Sequence, residues 1–88
     1  MIDTLRPARP VHPGRILRRE LDARGMTRKD LWEASGLSRT RIRNLLAGYS
    51  DVDEGDATRL SNAFGTSAEI WLNLQTAYDE AMAQGEKP

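Results

Sequence analysis

Apolar residues along this chain recur three and four positions apart and almost nowhere alternate, so the pattern predicts helices and no sheet. In "HPGRILRRELDARG" Pro13 suits a first helical turn, Ile16, Leu17 and Leu21 make the apolar face, and Gly25 supplies a stop. "MTRKDLWEASG" opens on Thr27 as N-cap with Asp30 three residues on, and closes at Gly36. In "SRTRIRNLLAG" Ser38 is the cap, Ile42, Leu45 and Leu46 share one face, and Gly48 ends the run. A fourth segment from about Asp53 carries Ala57, Leu60, Ala63 and Phe64 and stops at Gly65, with Gly55 weakening its start. In the last, Thr66 and Glu69 form a capping box, and Ile70, Trp71, Leu74, Ala77, Tyr78, Ala81 and Met82 keep the period over about 67–84. Residues 1–9 and 85–88 are expected to fray, which leaves an ordered core of about 11–84.

The second and third segments form a pair. Only "SGLS" joins them, with Gly36 placed for a left-handed backbone and Leu37 placed to plug the gap, which is a helix-turn-helix over about 27–47. At about 100° per residue, Thr40 and Asn44 fall opposite the apolar face of the third segment. Arg41 and Arg43 flank the exposed side, and Arg39 sits in the first turn.

Composition bounds this picture. The 88 residues make one small domain, able to bury roughly 60 to 65% of its unfolded surface. Without cysteine there is neither a disulfide framework nor a thiolate metal site, which fits a reducing cytosol. No apolar run is long enough for a membrane span or a signal peptide, so a soluble, cytoplasmic protein with no membrane partner is expected.

Net charge is zero, yet its distribution is uneven. Residues 1–44 hold 11 Arg and Lys against 5 Asp and Glu, and residues 45–88 hold 2 against 8, a split of +6 and −6 that predicts a basic and an acidic face. The cations also stand where a helix disfavours them. Arg28 and Lys29 open the second segment and Arg39 and Arg41 the third, although a helix N-terminus already carries about half a positive charge. Backbone N–H groups and arginines together make a phosphate site, so a polyanion would turn these penalties into gains. The alternative is a plain solvated basic face.

The stretch "HPGRILRRELDARGMTRKDLWEASGLSRTRIRNLLAG", followed by "RLSNAFGTSAEIWLNLQTAYD", resembles the HigA-type antitoxins, a branch of the Xre and Cro-like helix-turn-helix repressors. The likeness spans about residues 12–79, and the leading "HPG" and closing "WLNLQ..YD" are its most specific parts. It implies an all-α, compact five-helix bundle of lambda-repressor type. It further implies a homodimer that represses its own operon at a double-stranded DNA operator and binds a cognate toxin, commonly an RNA-cleaving HigB-type protein. The family's DNA-contacting pattern falls on Arg28, Ser38, Arg39, Thr40, Arg43 and Asn44. By chemistry Arg39 or Arg43 could fork onto guanine and Asn44 could pair with adenine or a phosphate, while Arg28, Lys29, Ser38 and Arg41 suit phosphates. A stand-alone Xre-type regulator and a toxin-neutralising module with little DNA binding are the other readings.

Two positions depart from the family pattern. Trp32 stands where a small alanine is usual and Ser35 where a larger apolar residue is usual, which suggests a volume exchange with the indole filling space near Ser35. The competing expectation is that Trp32 opens the helix pair and weakens DNA binding. The other departure is "DVDEGDA" in place of a proline-bearing turn, which affects only the start of the fourth segment.

Catalytic chemistry is thin, and neither a cofactor nor a metal is expected. His12 is the sole histidine, read as part of a helix start, so a histidine metal cluster is excluded and a Ser-His-Asp site, left without a further histidine as base, is not expected. Asp51, Asp53, Glu54 and Asp56 lack the central glycine and terminal glutamate of a calcium loop and read as a solvated cap. There is no glycine-rich phosphate loop, and an enzyme is not expected. On the last segment Ile70, Trp71, Leu74 and Tyr78 are expected at a dimer or partner interface, because repressors of this kind read two half-sites as a dimer. The acidic half would then lie away from DNA and could face a basic toxin.

Overall fold

The computed structural model describes residues 10–85, so the expected fraying of residues 1–9 and 86–88 lies outside the described residues. Five helices follow one another: α1 (Pro13–Arg24), α2 (Arg28–Ser35), α3 (Arg39–Ala47), α4 (Glu54–Phe64) and α5 (Ala68–Ala83). No strand occurs among the described residues.

Each helix starts on a side chain that accepts a hydrogen bond from a backbone N–H left free by the first turn. Thr27 and Asp30 cap α2 reciprocally, Ser38 Oγ accepts from Arg41 N–H at α3, and Asp53 and Asp56 cap α4 reciprocally. The capping box expected of Thr66 and Glu69 does not form. Ser67 is the N-cap of α5 and accepts from Glu69 N–H at 3.0 Å.

The "HPG" start of α1 is three devices in a row. His12 Nδ1 accepts from Gly14 N–H at 2.9 Å, Pro13 occupies the first turn, and Gly14 lets the helix approach α3. A Cβ on Gly14 would collide with the backbone carbonyl oxygen of Leu45. The missing side chain is what lets the two backbones approach so closely.

Leu17 and Leu21 of α1, Leu31 of α2, Ile42, Leu45 and Leu46 of α3, Ala57, Leu60 and Phe64 of α4, and Leu37 and Val52 from the turns make one core. Trp71 joins it, 2% exposed and 6.0 Å from the Phe64 ring. This corrects its expected place at an interface: Trp71 and Gln75, one helical turn apart, are the buried residues of α5, and Leu72 and Leu74 pack partly buried against the same core. Gln75 ties α5 to the turn between α3 and α4, where its Oε1 accepts from Val52 N–H at 2.8 Å, and its Nε2 donates to Asp79 on α5 itself, also at 2.8 Å.

Candidate nucleic-acid interface

The turn between α2 and α3 is set by Gly36, whose φ of 78° is left-handed, and by Leu37, which is buried between the helices. Buried Ser35 has a role that an apolar residue could not take. Its Oγ accepts from Leu37 N–H at 3.0 Å and fixes the turn. The expected volume exchange with Trp32 is therefore corrected: Ser35 points inward and Trp32 is 37% exposed on the outside of α2. Nor does the indole hold the two helices apart. Leu31, Leu37 and Ile42 remain sealed between them.

A groove of about 480 Å³ opens between the start of α2 and α3, lined by Arg28, Lys29, Arg39, Thr40, Ile42 and Arg43. Five of the eight residues expected at DNA thus surround one concavity, with Ile42 as its floor. Among the described residues no carboxylate lies within salt-bridge distance of Arg28, Lys29, Arg39 or Arg43. Four unpaired cations around one hollow repel one another and concentrate positive potential there, an arrangement that favours a polyanion. Ser38 caps α3 beside the groove and Asn44 is half-buried farther along the helix; neither lines it.

Arg41, also expected at phosphate, is the exception among these cations because it has a carboxylate partner. Its Nε donates to Asp56 Oδ1 at 3.1 Å, and its Nη2 donates to Asp56 Oδ2 and, at 2.9 Å, to the Asp51 carbonyl. Asp53 stands 3.8 Å from the same nitrogen. The guanidinium, partly exposed, pairs within the protein and clamps α3 to the start of α4. Of the cations that oppose the α3 dipole, this one has an internal anion.

Asp56 was likewise expected in a solvated cap, and it is 4% exposed. Burial alone pushes its carboxyl up, but hydrogen bonds from the Arg41 guanidinium and within the Asp53 cap hold it below the usual carboxylate range. Local pattern could reveal the cap, since "DEGD" has carboxylates three apart. It could not reveal the partner 15 residues away. Asp30 is also held low, by the Thr27 backbone and hydroxyl hydrogen bonds of the α2 cap.

Away from the groove, Ile70 is 49% exposed and Leu74 is half-buried on α5. Tyr78 is turned partly inward, with its ring edge-on to His12 at 5.0 Å between centroids. Of the expected interface residues, Ile70 keeps an apolar side chain facing out, while Leu74 packs partly buried against the core. Tyr49, 84% exposed just after α3, was not singled out because it falls outside every apolar period.

Comparison with known proteins places this geometry. The helix-turn-helix family model matches residues 17–71. Antitoxin HigA-1 of Vibrio cholerae is 40% identical over 72 residues, covering 81% of this chain and 68% of that protein. An addiction module antidote protein of the HigA family from Coxiella burnetii has a similar structure, with a TM-score of 0.80 at 41% identity over 85% of this chain and 83% of that one. PA4674 of Pseudomonas aeruginosa, solved in complex with its 18 bp operator DNA, gives a TM-score of 0.83 at 34% identity over 90% of this chain and 84% of that one. Agreement at this level in family model, sequence and backbone together means that the chain belongs to the helix-turn-helix family, within its HigA antitoxin branch.

Proposed function

We propose that this protein is an antitoxin and autorepressor that docks α3 in the major groove of its operator as a dimer and also neutralises a cognate toxin. One observation carries the DNA half: four cations without a carboxylate partner among the described residues ring the α2–α3 groove, on a backbone similar to that of operator-bound PA4674. Arg28 and Lys29 at the start of α2 supply phosphate contacts that set the register, and Arg39, Thr40 and Arg43 face the base edges. The exposed Ile70 side chain of α5, with the partly exposed edge of Leu74 one turn on, supplies the apolar surface for a second copy. The −6 charge of residues 45–88 suits a basic toxin of the HigB ribonuclease type.

Hydroxyl-radical footprinting on the promoter upstream of its own gene tests the dimeric reading. Two protected patches centred about 34 Å apart, or a multiple of that, are expected. A single patch of one half-site contradicts it. Co-expression with the product of the adjacent gene tests the toxin half: co-purification of a small basic ribonuclease supports the antitoxin role, and its absence leaves a stand-alone repressor.

A further inference from the structure

Arg39 differs from the other three cations of the groove in having a support. Its guanidinium carbon lies 4.7 Å above the centre of the Trp32 ring, and no other groove cation is so stacked among the described residues. Trp32 is 37% exposed and lies outside the core cluster in which Trp71 is sealed. What it does contact is the one arginine at the first position of α3. Stacking uses the face of the guanidinium and leaves its in-plane N–H fork free, which is the part that a guanine edge accepts through O6 and N7.

We propose that Trp32 is a specificity-determining positioning residue that holds Arg39 ready to read a guanine, making Arg39 the base reader of the groove. A phosphate contact needs only a positive charge within flexible reach, and Arg28 and Lys29 suffice for that without support; of the two groove arginines on α3, Arg39 is the one that is stacked. Base readout needs a fixed fork, and an arginine free to sample its rotamers loses that freedom on binding. The stack removes part of that loss in advance. This inference rests on the reading of α3 as the DNA-contacting helix.

The test uses the full chain and duplexes of its own promoter in which each base pair is replaced in turn. For each variant the readout is the ratio of its affinities for the parent and the substituted duplex, so a reduced folded fraction cancels. Arg39→Ala is expected to abolish discrimination at one G·C pair per half-site, a loss of roughly tenfold or more. Trp32→Ala is expected to lower discrimination at that same pair by about two- to fivefold, with Trp32→Phe between it and the wild type and the salt dependence unchanged. The double variant should discriminate no worse than Arg39→Ala alone. Unchanged discrimination in Trp32→Ala, an equal loss at every pair, or tighter binding to all duplexes overturns the proposal while leaving DNA recognition by α3 in place. A wild-type protein without preference for its promoter over random duplex overturns both.

Discussion

Arg41 and Asp56 are where a single residue matters most to stability. Asp56 is buried and Arg41 covers it, so removing the guanidinium leaves a carboxylate with little solvent and one fewer donor. Arg41→Ala is expected to cost about 2–3 kcal/mol in urea unfolding near neutral pH. The acid limb carries a second signature. Because the folded Asp56 carboxyl is held below its unfolded value of about 3.9, its contribution is fully present above that pH and is lost as pH falls through the folded value. Unfolding followed from about pH 5 down to pH 2 should therefore show a shallower loss for Asp56→Asn than for the wild type. Identical slopes would mean that Asp56 is not held low. Asp30 adds an acid slope of its own from the exposed α2 cap, common to both proteins.

Among the elements, α1 and α3 are the pair whose spacing depends on one atom. Gly14→Ala puts a methyl group against the Leu45 carbonyl and must push α1 away, at a cost of about 1–3 kcal/mol read as a lowered thermal midpoint. An unchanged midpoint would show that the approach is not needed. The same comparison explains what a linear pattern can and cannot carry. Helix starts and stops are local chemistry, so Thr27 with Asp30, Ser38 and the closing glycines were legible from spacing alone, with α5 missed by a residue because Thr66 and Ser67 compete for one cap. The groove cations were legible too, since a helical wheel exposes them. Contacts across the fold were not. Nothing within a few residues of Arg41 points to Asp56, and an amphipathic α5 cannot tell from its period whether Trp71 or Ile70 turns inward until α4 offers Phe64. Trp32 misled for a related reason: a large apolar residue reads as core, whereas here its ring face serves a cation.

For the molecule as a whole, the +6 and −6 halves become a division of labour. The basic half forms the open groove and retains its charge there. In the acidic half, the carboxylates at the start of α4 neutralise Arg41, the one α3 cation that turns away from the groove. Cations that meet phosphate or base release counterions on binding and one that holds helices together does not, and salt-dependent titration reads the difference directly. Affinity for the promoter duplex, measured at several salt concentrations under conditions where every variant is folded, should fall steeply. The slope should be shallower by roughly one in Lys29→Ala and in Arg28→Ala, and unchanged in Arg41→Gln. A flat slope in the wild type, or an Arg41→Gln slope reduced as much as that of Lys29→Ala, would contradict this division of labour.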